Sequence, residues 1–185
     1  MLPEISLNIL DIAQNSISAE ASLVQIMVDT DTVGHRLRVI IEDDGKGMSE
    51  EAVAAVTDPF YTTRTTRSVG LGIPFLKQEA ECTGGSFSIC SEPGRGTTVT
   101  AVFCTDHIDC MPLGDVNATI LSLVTMHMQP DFLYTRMVDG RSFTLDTREM
   151  REILGDIPFD QPDVGLFLRE YLEENEADVK VSSTD

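Results

Sequence analysis

Two stretches of strict alternation, Val24-Gln25-Ile26-Met27-Val28 and Leu37-Arg38-Val39-Ile40-Ile41, constrain the fold of this chain more than any other feature. A period of two sends every second side chain to one face, so each run predicts a strand with one buried side. A Thr/Asp/Gly loop joins them, and the second run ends in an acidic, glycine-rich turn, Asp43-Asp44-Gly45-Lys46-Gly47. Taken alone, such a turn reads as an ordinary surface turn, because Asp-Gly pairs favour tight backbone reversals.

The flanking segments follow a helical period. Over residues 4–18, Ile5, Ile9, Ile12, Ala13 and Ile17 fall on one arc, while Asn8, Asp11 and Asn15 stack on another. That pattern predicts a helix that lays its apolar arc on a sheet and turns a polar stripe toward water or a ligand. Ser49 offers an N-cap to a short helix reaching about residue 56, with Glu50 and Glu51 in its first turn. After Gly70-Leu71-Gly72, residues 73–83 read as a third helix, ended by Gly84-Gly85. Phe87 and Ile89 alternate on one further strand, Val99, Ala101 and Phe103 on the next, with Glu92-Pro93-Gly94-Arg95-Gly96 turning between them. Helices on one face of a mixed sheet are expected: an α+β two-layer sandwich.

Residues 106–185 have a different character. Asp115 is placed to cap a helix over roughly 116–128, and Asp139-Gly140 is a strong hairpin signal between 132–138 and 141–146. Helices near 147–154 and 164–174 follow, and 177–185 reads as frayed. The expectation is a domain over 1–105 and a small α+β extension over 106–185, either a structural cap or a partner-docking module.

Four short stretches carry the chemistry: Asp11-Ile12-Ala13-Gln14-Asn15, Asp43 to Gly47, Asp58-Pro59-Phe60-Tyr61-Thr62-Thr63, and Gly70-Leu71-Gly72. Each is weak alone. In this order and spacing they resemble the N, G1, F and G2 boxes of the Bergerat-fold (GHKL) ATPases, which join DNA gyrase, MutL, the heat-shock chaperone ATPases and the histidine kinases. The matching region runs from about residue 3 to 103. The resemblance implies ATP and Mg²⁺ as cofactors, and the same two-layer fold.

It also implies roles. Asp43 would accept a hydrogen bond from the adenine amino group and so reject guanine, whose keto oxygen would face a carboxylate. Gly45 and Gly47, with Met48 after them, would let the backbone pass close to the base. Asn15 would place its side-chain oxygen on Mg²⁺, with Asn8 on the same helix face. Asp11 stands where gyrase-type members carry a general-base Glu and many histidine kinases carry Asn, so its carboxylate could orient a water. Phe60 and Tyr61 would pack against and hinge a lid in which Thr62, Thr63, Arg64 and Arg67 suit triphosphate oxygens. Gly70, Leu71 and Gly72 would offer backbone N–H groups at a helix start. Thr97 or Thr98 would match the last box, beside the adenine site.

The net charge of −18 divides into −7 over residues 1–105 and −11 over 106–185. A field of that sign repels nucleic acid and anionic membranes and favours a basic partner or simply solubility. No apolar run approaches the ~20 residues of a membrane span. The N-terminus lacks the basic and apolar regions of a secretion signal. Cys82, Cys90, Cys104 and Cys110 show no repeating spacing and read as reduced thiols of a cytoplasmic protein. Cys104-x-x-His107-x-x-Cys110 lacks an evident fourth zinc ligand, so it is read as a strand end and loop.

The short lid and the Gly94 to Thr98 ending look most like histidine kinases, yet no phosphoacceptor segment is seen before the first helix. The leading expectation is therefore a stand-alone kinase catalytic domain that phosphorylates a protein partner in trans. The others are an ATP-gated binding switch with slow hydrolysis, and an anti-sigma-like serine kinase. The whole chain also resembles small bacterial ATP-binding proteins with this kind of tail.

Overall fold

A computed structural model describes residues 4–58 and 71–181. The two alternating runs form strands β1 (Leu23–Asp31) and β2 (Arg36–Asp43), paired antiparallel with Val24 opposite Asp43, Ile26 opposite Ile41 and Val28 opposite Val39. This register puts Val24, Ile26, Val28, Leu37, Val39, Ile41 and Asp43 on one face, where each is buried. Before β1 runs helix α1 (Ile5–Ser18), and after β2 come α2 (Glu50–Thr57) and α3 (Gly72–Cys82). Ser49 Oγ accepts the Ala52 N–H and caps α2, with Glu50 and Glu51 in its first turn. Strands β3 (Ser86–Glu92) and β4 (Gly96–Cys104) pair antiparallel, and β4 lies antiparallel on β2.

The remaining elements are α4 (Val116–Met126), β5 (Asp131–Val138), β6 (Arg141–Asp146), α5 (Thr147–Leu154) and α6 (Pro162–Lys180). Asp115 caps α4 by accepting the Ala118 N–H at 2.9 Å. Asp139 and Gly140 both take positive φ, +49° and +81°, as a two-residue hairpin turn requires. The elements read for residues 106–185 are present, and their hairpin joins the main sheet. β5 pairs parallel along β1, giving one six-stranded mixed sheet in the order β3-β4-β2-β1-β5-β6. Without β5, β1 would offer a row of unpaired backbone groups.

One correction concerns the C-terminal helix. Residues 177–180, read as frayed, belong to α6, because Val179 is buried and its carbonyl accepts Arg141 Nε at 2.9 Å. Lys180 adds an ion pair one turn back, 2.9 Å from Glu176. Conversely α4 stops at Met126, with His127 already extended.

Among the described residues, all buried apolar side chains belong to one core cluster, formed by the sheet and by α1, α3, α4 and α6, with Val56 of α2 and Met150 of α5. Ile5, Ile9 and Ile12 of α1, Leu76 of α3, Ile120 and Leu123 of α4, and Leu168 and Leu172 of α6 are at most 2 % exposed. Full burial of each such side chain is worth about 1.5–3 kcal/mol. The start of α1 has no side-chain cap; the Ile5 and Ser6 N–H groups instead donate to Pro112 and Leu113 carbonyls of the segment before α4. The extension thus helps hold α1, the helix that carries Asp11 and Asn15. Among the described residues no helix is long and apolar enough to cross a membrane. Among them, too, no group of three or more His, Cys, Asp and Glu side chains could hold a metal ion.

Candidate functional site

The alternation that buries Leu37, Val39 and Ile41 carries one step further to Asp43, at the last inward position of β2. Asp43 is 8 % exposed, and both of its oxygens are engaged. Ser16 Oγ of α1 donates to Oδ2 at 2.6 Å, and the Gly45 N–H donates to Oδ1 at 2.9 Å. Each carboxylate oxygen keeps a second lone pair, so the group is fixed in place and can still accept from a ligand.

Opposite Asp43, Thr97 takes the first inward position of β4 after Gly96. Its hydroxyl lies 2.8 Å from Ser91 Oγ, which also accepts the Met48 N–H at 2.8 Å. Gly96 is required here by close packing and by conformation. Its φ is +100°, and a Cβ would sit 1.8 Å from the Asp43 carbonyl oxygen. Gly47 is equally constrained, at φ +66° with a Cβ position 1.9 Å from the Glu92 carbonyl oxygen. Gly45 differs: it does not take a positive φ, and its need is space, since a Cβ would approach the Ala19 carbonyl oxygen to 2.8 Å. Gly47 is thus fixed by both conformation and space, and Gly45 by space alone.

Asp44 does separate work. It accepts from the Ser22 hydroxyl, the Ser22 N–H (2.7 Å) and the Leu23 N–H (2.9 Å), tying the turn to the start of β1. Burial opposes its charge, but these donors outweigh it and hold the carboxyl below its usual range.

These groups enclose a cavity of about 170 Å³ lined by Asn15, Asp43, Gly47, Met48 and Thr97 from the expected set. Ile12, Ile41, Ile73 and Val99 supply flat apolar walls, and Ser16 and Lys46 further polar edges. Asn15 presents its amide there with Nδ2 buried and, among the described residues, unpaired. An apolar slot with a fixed carboxylate at one end and an uncommitted amide at another suits a planar heteroaromatic base with an amino group.

Not every expected residue lines this cavity. Asn8 is fully buried and donates through Nδ2 to Glu79 Oε2 at 3.0 Å, a tie between α1 and α3. Asp11 lies beside the start of α3, in a neighbouring groove with Leu71, Gly72 and Phe75. Its carboxylate presses on Gly72, where a Cβ would meet Oδ2 at 2.0 Å. Thr98 pairs with Glu42 and faces the opposite side of the sheet, so of the two threonines Thr97 is the one on the cavity. Phe60, Tyr61, Thr62, Thr63, Arg64, Arg67 and Gly70 lie outside the described residues.

Ser16 and Ser91 were not singled out in the sequence, although a signal existed. Ser16 falls on the apolar arc of α1, four residues after Ile12, and Ser91 at an inward position of β3 after Phe87 and Ile89. A polar residue on an apolar stripe marks either a buried network or a site.

Comparison with known proteins follows the same lines. Residues 2–107 match the model of the histidine kinase-, DNA gyrase B- and HSP90-like ATPase family, more than half of the chain. The chain belongs to this family.

Among curated relatives it is 28% identical over 92 residues to the sensor histidine kinase ZraS of Escherichia coli K12, covering 50% of this chain and 20% of that one. It is 33% identical over 94 residues to the sensor protein kinase FleS of Pseudomonas aeruginosa, covering 51% and 23%. The chain therefore matches about a fifth of the length of these relatives. Among solved structures, full-length ShkA in complex with AMPPNP shares 25% identity at a TM-score of 0.42, over 55% of this chain and 22% of that one. As a member of the histidine kinase-like ATPases, the chain has every residue that lines the Asp43 cavity inside its matched region.

Proposed function

We propose that this protein binds Mg-ATP in the Asp43 cavity and passes the γ-phosphoryl group to an acceptor on a partner protein. The observation that carries the reading is the buried Asp43 carboxylate, held by Ser16 and Gly45 at the end of an apolar slot. In this reading Asp43 accepts the adenine amino group, with Thr97 and Ser91 ordering the polar edge beside it. Ile12, Ile41, Ile73 and Val99 exclude water from the base.

The Asn15 amide fits a phosphate-bound cation. It lines the cavity, its nitrogen has no partner among the described residues, and a neutral oxygen suffices where the phosphates carry the charge. Mg²⁺ when bound would neutralise phosphate charge. Gly72 opens α3, whose N-terminal dipole favours anions. Thr62, Thr63, Arg64 and Arg67 are assigned to the triphosphate on the resemblance of their segment to a lid. Among the described residues no histidine lines the cavity: His127 contacts Gln14 at 3.2 Å and His107 sits 3.8 Å from Asp109.

A second reading, an ATP-gated switch with slow hydrolysis, draws on Asp11. Its carboxylate lies at the start of α3, one turn from Asn15 on α1, where it could orient a water.

The fate of labelled γ-phosphate separates the two. Purified protein, Asp11→Asn and Asn15→Ala would be incubated with γ-labelled Mg-ATP, with and without the host's protein extract. Label moving onto a protein only when extract is added, with no free phosphate before, supports transfer in trans. Free phosphate that disappears in Asp11→Asn supports the switch. Failure to bind ATP at all overturns both.

A further inference from the structure

The hydrogens of the hydroxyls at the polar end of the Asp43 cavity are fixed by their partners, because a hydroxyl carries one hydrogen and two lone pairs. Ser91 Oγ meets the Met48 N–H at 2.8 Å, the Gly96 carbonyl oxygen at 2.9 Å and Thr97 Oγ1 at 2.8 Å. An N–H only donates and a carbonyl only accepts, so Ser91 spends its hydrogen on Gly96 and one lone pair on Met48. Its remaining lone pair meets Thr97, which is therefore the donor of that pair. Thr97, having given up its hydrogen, turns only lone pairs toward the cavity it lines. Ser16 is in the same state, its hydrogen donated to Asp43 Oδ2 at 2.6 Å.

The result is two acceptors side by side. Asp43 and Thr97 are direct partners across the antiparallel β2–β4 pair. Side chains so placed stand with Cβ atoms about 4.5–5.5 Å apart. The Thr97 hydrogen goes to Ser91 and not to Asp43, so both side chains keep lone pairs for a ligand. One amino nitrogen, with its two hydrogens, can serve both. A keto oxygen in the same place would face two acceptors and no donor, leaving buried polar atoms unpaired.

We infer that Ser91 is a positioning residue which, through Thr97, makes the site select a purine nucleotide with an unsubstituted 6-amino group. Asp43 takes one amino hydrogen and Thr97 the other. Ser91 does not line the cavity itself; it holds Thr97 in the accepting state from behind. This selection rests on the Asp43 cavity being the nucleotide site.

The test is calorimetric titration of the full chain with the magnesium complexes of ATP, ITP and N6-methyl-ATP. ITP carries a keto oxygen in place of the amino group, and N6-methyl-ATP lacks one amino hydrogen. Ser91→Ala frees Thr97 to turn its hydrogen toward a keto oxygen. The preference for ATP over ITP should then narrow about three- to tenfold, the worth of one neutral hydrogen bond. Ser91→Thr keeps the hydroxyl and should keep the parent's ratio. If Ser91 only braced Met48 and Gly96, its loss would weaken both nucleotides alike; an unmoved ratio overturns the inference. Thr97→Val leaves the ties of Ser91 to Met48 and Gly96 in place and serves should Ser91→Ala not fold. In that variant N6-methylation should cost about three- to tenfold less affinity than in the parent. An equal cost in the two proteins overturns the inference as well. A parent that binds no ATP overturns the nucleotide site itself, and is told apart from the other failures by the absence of any ratio to compare.

Discussion

Asp43 is held from two directions, by α1 through Ser16 and by its own turn through Gly45, so its geometry is set before any ligand arrives. Asp43→Asn swaps an acceptor oxygen for a donor nitrogen. We expect ATP affinity to fall about ten- to a hundredfold, the worth of a hydrogen bond to a charged group. Isothermal titration would check this, and unchanged affinity would remove Asp43 from the site. Ser16→Ala leaves Asp43 Oδ2 without its buried donor. A stability loss of about 1–3 kcal/mol is expected from chemical denaturation, together with weaker ATP binding. An effect on neither would mean that Ser16 only fills space.

Glu79 supplies a pH dependence. Burial raises its carboxyl above the ordinary 4.5, with the Asn8 amide opposing. A raised folded-state value means that its stabilising contribution is full below about pH 4.5 and is lost as pH rises through the folded value. Glu79→Gln removes that titration and can still accept from Asn8. The variant should gain on the parent as pH rises from 4 to about 7, read as a widening gap in melting temperature. A gap independent of pH would count against a raised Glu79.

At the scale of elements, the turns around the Asp43 cavity work by close backbone approach. Gly47 and Gly84 both have positive φ, +66° and +79°, but only Gly47 has backbone in the way. Gly84→Ala meets nothing within 4 Å and should cost only about 1 kcal/mol of conformational strain. Gly47→Ala drives a Cβ into the Glu92 carbonyl and should displace the G1 turn, with loss of nucleotide binding and a much larger drop in melting temperature. Equal behaviour of the two variants would show that φ alone matters. The same logic explains Gly72, whose missing side chain makes room for the Asp11 carboxylate between α1 and α3.

At the scale of the whole molecule, residues 106–181 complete the sheet. Phe132 and Tyr134 of β5 pair with Val24 and Ile26 of β1, and Ile120, Leu123 and Leu168 belong to the shared core. A chain ending at residue 105 would expose the β1 edge and leave the start of α1 without its Pro112 and Leu113 acceptors. We expect it to aggregate or to lose cooperative unfolding, measured by circular dichroism and size-exclusion chromatography. A soluble, cooperatively folding truncation that binds ATP would instead make the extension a detachable docking module.

Local period was enough to read most elements: alternation gave β1 to β4, the 3.6-residue arc gave α1, and Asp139-Gly140 gave the last hairpin. The boxes marked Asn15, Asp43, Gly47 and Thr97 because their spacing survives in the linear chain. Sequence alone determined these, since backbone sterics and side-chain alternation act over a few residues. Tertiary structure decided the rest, because it depends on which surfaces meet. It turned Thr97 onto the cavity and Thr98 away from it, put Asn8 on Glu79 and Ser16 on Asp43, and joined β5 to β1. Pairing of strands more than a hundred residues apart is chosen by the burial of a common face, and no local pattern encodes which partner an open edge will take.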